Sequence, residues 1–275
     1  MRNVEELMEA MARNAIFMDL DFNGKCGDIL CSKFGGLPAV PAGFEWPYYE
    51  GCEIEGDPVE NRPLSFIAQV NCEDIAVLDS EGLLPKKGML SFFYDCVTQK
   101  WGFDPKDRGC ARVYYFEDIS LLSPMDLPED MGEEERLAEA AINFKSSVDY
   151  PIFPDMELSF EEKEEYSGLY EEFYDRQGDF RCKLLGYTDC IQGDMFLQCE
   201  LTGGRGIYTG DGAVPTTEDI EKAAGDWILL MQMDSVENDS QVLMFGDCGR
   251  IYYCIRRQDL AEKRFDRIWL ILQCG

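Results

Sequence analysis

The chain has 275 residues, 45% hydrophobic and 12% aromatic, which is too apolar for a disordered chain and long enough to bury a sizeable core. Fifty-four acidic residues against 25 basic ones leave a formal charge of −29; such a surface disfavours nucleic acid and anionic lipid, and it either serves solubility alone or attracts basic proteins or cations. With no histidine, the commonest general base and transition-metal ligand are missing, so an enzyme here would run on carboxylate, Lys, Tyr or Cys groups alone.

In chain order, the first predicted element is an amphipathic helix over Val4–Ala15, with Leu7, Ala10 and Met11 on one face and Glu5, Glu6 and Glu9 elsewhere. Its acidic residues exclude a signal peptide, and apolar runs such as Trp227–Met231 are far shorter than the ~18 residues a membrane span needs. Asp19-x-Asp21-x-Asn23-Gly24 begins like an EF-hand loop, but Leu30 stands where the bidentate Glu belongs, so a surface turn is expected. Ser32-Lys-Phe-Gly-Gly-Leu-Pro38 has two readings. It is an anion-binding nest with Lys33 supplying charge, or a tight structural loop whose apolar residues Trp46-Pro47 covers.

Strands are predicted at Leu64–Val70, Met89–Tyr94, Arg112–Phe116, Asp226–Met233, Arg250–Ile255 and Arg267–Leu272, all β-branched or aromatic runs. Further helices are predicted at Glu133–Phe144, Glu161–Asp175, Thr217–Ala224 and Gln258–Phe265. Without regular strand–helix alternation, this spacing favours an α+β fold of largely antiparallel sheets with a few peripheral helices. The twelve cysteines include no C-x-x-C pair, so they read as free thiols of a reducing compartment, and neither zinc nor any other metal or cofactor is implied.

Several segments recur in order. Leu64–Asn71 aligns with Trp227–Asp234, Gly88–Tyr94 with Gly249–Ile255, and Arg112–Phe116 with Arg267–Ile271. A Lys-x-x-Gly precedes each set, Lys33–Gly36 and Lys183–Gly186. The copies lie roughly 150–163 residues apart, which predicts one domain over 1–275 made of two related halves. The first half covers about 28–122, an acidic helical connection 123–179, and the second half 180–275.

These stretches, with Gly43-Phe-Glu-Trp-Pro47, Lys183-Leu-Leu-Gly-Tyr187, Cys190-Ile-Gln192 and Gly246-Asp247, resemble the YwqG-like proteins from about Ser32 onward. Thr188-Asp189-Cys190 departs from the Pro-Asp-Trp expected after the second Lys-x-x-Gly. The resemblance implies an α+β fold of two similar halves in a cytoplasmic, bacterial-type protein, and it carries over no catalytic residue.

The binding residues expected from the sequence are Lys33, Gly36, Trp46, Gln69, Asp95, Lys183, Asp189, Gln192, Gln232 and Asp247. Gln69 and Gln232 occupy matching strand positions and either staple neighbouring loops or face one groove and orient a ligand. Asp95, Asp189, Asp194 and Asp247 flank the repeated elements, where two could meet as an acid/base pair or stand apart on an acid-rich surface. The functional expectation is a non-enzymatic cytoplasmic protein that binds a protein partner, of immunity or regulatory type, through its acidic face and the groove between halves. The alternative is a carboxylate-dependent enzyme or small-ligand binder using that groove.

Overall fold

The computed structural model describes residues 3–24, 26–52, 60–152, 154, 156–176, 181–212 and 214–275. Its centre is a ten-stranded sheet, every neighbouring pair antiparallel. The strands are β1 (Arg13–Asp21), β2 (Lys33–Phe34), β3 (Ser65–Asn71), β4 (Met89–Tyr94), β5 (Ala111–Phe116), β6 (Ala140–Asp149), β7 (Cys182–Leu185), β8 (Trp227–Asp234), β9 (Arg250–Arg256) and β10 (Trp269–Gln273). Their spatial order is β10-β9-β8-β7-β1-β6-β2-β3-β4-β5. Three two-stranded ribbons and a few helices surround the sheet, so the fold is mixed, mostly antiparallel and sparing in helix.

The order places β1 and β6 at the middle, paired over nine positions from Arg13–Asp149 to Asp21–Ala141. β1 carries β7 on its other side, and β6 carries β2. Each four-strand set is therefore extended by the strand that precedes the other set in the chain. The two sets also share local detail. Lys33 pairs with Gln69 and Lys183 with Gln232. The β3–β4 register slips at Ile67 and the β8–β9 register at Leu230. Gly35 and Gly36 hold φ of 57° and 70°, Leu185 and Gly186 hold 58° and 73°.

Strand alternation sends Phe34, Ala68, Phe92, Leu184, Met231 and Tyr253 to one face, where they join a single hydrophobic core drawn from both sets. The Phe92 and Tyr253 rings meet at 5.3 Å, and the Tyr253 hydroxyl donates to Phe93 O at 3.1 Å. The chain after β4 crosses onto the second set, where Gly102 O accepts the Trp269 indole N–H at 2.9 Å. The sheet thus curls until its edges nearly close a barrel. Residues 107–113 and 265–270 leave only about 20 Å3 between those edges, room for about one water.

Two predicted helices need correction. The first ends at Ala10, and Arg13 onward is strand, because Ala15–Met18 is a continuous apolar run buried within the sheet. Glu133–Phe144 holds only a 3-10 turn at Glu133–Glu135 and then β6. Its Ala/Glu/Leu composition favours helix, but Ile142 alternates with exposed Asn143 and the whole segment has β1 to pair with. The 123–179 connection, of which 153, 155 and 177–179 lie outside the described residues, is thus not purely helical and supplies a central strand. The other predicted helices are found as Phe160–Arg176, Glu218–Ala224 capped by Thr217, and Arg257–Ala261, the last ending four residues short of Phe265, where a 3-10 turn begins.

Candidate functional site

One wall of the candidate cleft is the helix Phe160–Arg176. Ser159 Oγ accepts the Glu162 N–H at 3.2 Å while Glu162 Oε2 accepts the Ser159 N–H at 2.9 Å, a reciprocal capping box that fixes the first turn. Tyr166, Tyr170 and Phe173 face inward, onto Val4, Met8 and Tyr150. Glu161, Glu164, Glu165, Glu171, Glu172 and Asp175 are left in solvent.

Asp189, Cys190 and Arg250 complete the lining, and Asp189 belongs to a buried charge cluster beneath it. Lys183 on β7 has no exposed surface, and its Nζ lies 2.8 Å from Asp149 Oδ2 and 2.9 Å from Asp189 Oδ1. After β7 the chain turns sharply at Gly186, where a Cβ would come within 2.4 Å of Asp149 Oδ2; glycine therefore suits both the left-handed φ and the close approach. The turn brings Asp189 back over Gln232. The Gln232 amide donates to Asp189 Oδ2 at 2.8 Å and Arg181 O at 2.7 Å, and accepts the Asp189 N–H at 2.9 Å.

Burial opposes the charge of Asp189, but Lys183 and the Gln232 amide outweigh it and hold the carboxyl below its ordinary range. Burial likewise opposes the Lys183 charge, and Asp189 and Asp149 together keep the ammonium above its ordinary value. For Asp149 burial prevails over the attraction of Lys183, and its carboxyl is raised.

Asp189 forms part of the floor of a cleft of about 310 Å3, also lined by Ile152, Ser167, Tyr170, Glu171, Tyr174, Asp175, Cys190 and Arg250. Arg250 is held by an ion pair and two hydrogen bonds. Its Nε is 3.1 Å from Asp234 Oδ2, while Nη1 donates to Asp189 O at 3.1 Å and Nη2 to the Tyr174 hydroxyl at 3.2 Å. Burial raises the Tyr170 phenol and the Cys190 thiol above their ordinary values. Lys183 is therefore an ammonium, Tyr170 a phenol and Cys190 a thiol near neutrality, forms suited to hydrogen bonding and poorly suited to nucleophilic attack. Among the described residues no three His, Cys, Asp or Glu side chains gather as a metal site.

Of the residues expected from sequence, Lys183, Asp189 and Gln232 converge here. Lys33, Gly36 and Gln69 form a separate group, with Lys33 Nζ 2.9 Å from Glu139 Oε2. There the Gln69 amide accepts the Ala39 N–H at 2.9 Å and donates to Cys31 O at 2.8 Å and Ile29 O at 2.7 Å. The two glutamines staple different loops and share no partner among the described residues. The proposed anion nest at residues 32–38 has its donors taken, since Gly35 N–H bonds Ile67 O and Gly36 N–H bonds Leu137 O, both at 2.9 Å. Trp46 is a core residue whose indole N–H reaches Leu64 O at 2.9 Å. Asp95 shapes the turn at Val97 and Thr98, and Gln192 and Asp247 are exposed away from the cleft lining. Asp21 accepts the Asn23 and Gly24 N–H groups in an ordinary surface turn. Asp149, Tyr170 and Tyr174 carry no motif, and Arg250 belongs to a repeated strand without being marked as a site residue; the spacing Tyr166–Tyr170 on a helix is the one signal of an inward stripe.

The model of a domain family described as domain of unknown function (DUF1963) matches residues 32–274. The chain belongs to that family. The DUF1963 region takes in nine of the ten central strands, from β2 to β10, and the residues lining the cleft, whereas β1 precedes it. No curated protein matches the chain.

Proposed function

We propose that this DUF1963 protein works by binding, not catalysis, and that its partner is a basic protein met through its acidic surface, in the manner of a regulatory or immunity-type inhibitor. The observation that carries this reading is the state of the groups around the cleft. Lys183, Asp189 and Arg250 are matched by neighbours and Tyr170 and Cys190 are held in their unreactive forms, while the surplus of acid, Glu171 and Asp175 included, faces solvent along Phe160–Arg176. The helix-and-cleft face offers more room for docking than the seam between β5 and β10, where the pocket holds about 20 Å3. Affinity capture from a lysate at low salt, repeated at high salt with identification of the retained proteins, tests it. Basic proteins should be held at low ionic strength and released at high. Retention of none at either condition ends the reading.

The small-ligand alternative has one observation in its favour, the size of the cleft. A thermal-shift screen with metals, nucleotides and sugars addresses it, since a ligand of the native state raises the midpoint. We also infer that the two four-strand sets descend from one copied unit. The paired Lys–Gln registers, the bulges at Ile67 and Leu230 and the twin left-handed turns support this. Superposing the two sets in an experimental structure tests it, and unlike strand paths would refute it. Membership among the YwqG-like branch and a cytoplasmic location complete the proposal. The location draws support from eleven free thiols among the described residues; no helix among those residues is long and apolar enough to cross a membrane.

A further inference from the structure

We propose that the cleft under helix Phe160–Arg176 is a receptor for one cationic side chain, a guanidinium or alkylammonium on its aliphatic stem, contributed by the basic partner. This rests on the reading of a basic protein partner and names the group that partner inserts.

The charge balance of the lining sets the sign. Glu171, Asp175 and Asp189 share the lining with one cation, Arg250, and a second, Arg181, lies against the Tyr174 ring, so acid still exceeds base by one. Arg250 is already charge-matched by Asp234 and directs one donor each to Asp189 O and the Tyr174 hydroxyl, so its positive charge is largely offset before any guest arrives. Asp189 is matched by Lys183. Glu171 and Asp175 remain, and neither forms an ion pair among the described residues. An anionic guest would meet two unmatched carboxylates, whereas a cation would be attracted by both.

Shape and wall chemistry agree. The cleft's roughly 310 Å3 suits a long side chain more than a folded segment. Ile152 and the tilted Tyr170 and Tyr174 rings, 5.8 Å apart, offer apolar contact to a methylene stem. The Tyr174 ring already carries the Arg181 guanidinium on one face, so this wall accommodates such a cation by cation–π contact. The Tyr170 phenol, kept protonated by burial, retains oxygen lone pairs to accept an N–H.

The test uses the full chain at low salt and isothermal titration with four probes: Nα-acetyl-arginine methylamide, putrescine, N-acetylglutamate and a short peptide bearing one arginine. Two charge-matched double variants are compared, Glu171→Gln/Asp175→Asn in the cleft and Glu164→Gln/Glu165→Gln elsewhere on the same exposed helix, with thermal midpoints to confirm folding. The expected result is one site per chain for the arginine probes, weakened at least tenfold by the cleft pair and little changed by the distal pair. Equal weakening by both pairs, equal binding of N-acetylglutamate, or no binding of any cation overturns the site. Putrescine binding tighter than the arginine peptide overturns the assignment to a partner's side chain. None of these titrations needs the partner, so a lysate that still yields salt-sensitive basic proteins while the titrations fail removes only this inference.

Discussion

At the scale of single residues, Lys183 and Lys33 make the same strand pairing but hold very different electrostatic positions. Lys183 lies between two buried carboxylates, and Lys33 meets Glu139, whose side chain is 42% exposed. Removing a cation from a buried cluster strands the opposite charge, which costs about 3–5 kcal/mol, whereas a carboxylate that can turn to water loses about 1 kcal/mol or less. Lys183→Met should therefore lower stability at neutral pH by several times more than Lys33→Met in urea unfolding, and its deficit should shrink in acid as Asp149 and Asp189 take protons. Equal costs would mean that the Lys183 cluster is effectively solvated. Glu200 makes the second residue-scale prediction. Burial opposes its charge, yet the Trp227 indole, Arg256 and Arg205 hold its carboxyl below the ordinary 4.5. A carboxyl whose folded value is depressed stabilises the native state fully above its unfolded value and loses that contribution as the pH falls through the folded one. The stability gap between wild type and Glu200→Gln should thus be widest above about pH 4.5 and close below it; a gap independent of pH from 3 to 7 would contradict the ion-pair account.

Among elements, legibility followed the balance between local pattern and tertiary pairing. Met89–Tyr94 is wholly buried and reads as a strand to the residue, because five apolar or aromatic residues around Ser91, set between turns, leave little else to form. β6 was misread since its alanines and preceding glutamates favour helix locally, while the stabilising partner, β1, is over a hundred residues away. β2 and β7 span only two and four residues and were visible as Lys-x-x-Gly motifs, not as strands. For the same reason the site was half legible. Lys183, Asp189 and Gln232 belong to motifs, but Asp149 ends the misread strand, and Tyr170, Tyr174 and Arg250 reach the cleft only once the helix packs. The bulges permit an element-scale prediction. Ile67 and Leu230 are the residues skipped in the two register slips, and both are fully buried in the common core. Ile67→Ala and Leu230→Ala should each cost about 2–5 kcal/mol, measured by urea unfolding. A cost under 1 kcal/mol at either site would mean that the bulge does not deliver its side chain to the core.

For the whole molecule, the strand order decides how the halves behave. β1 extends the second set and β6 the first, and the two meet along nine paired positions at the centre of the sheet. The inner faces then share one hydrophobic core, closed by the Phe92–Tyr253 contact and the Tyr253–Phe93 hydrogen bond. Neither set can lose its core face without exposing the other's, so the molecule should open as one cooperative unit, in contrast to two domains tied by a linker. Native-state hydrogen exchange distinguishes these. The Phe92 and Tyr253 amides lie in opposite sets, and Leu230→Ala perturbs only the second directly. With one unit, that substitution lowers the protection free energy of both amides by equal amounts, matching the loss in global stability. Full protection retained at Phe92 while Tyr253 falls would show separate units, and would make a cleft on the second set free to open without disturbing the first.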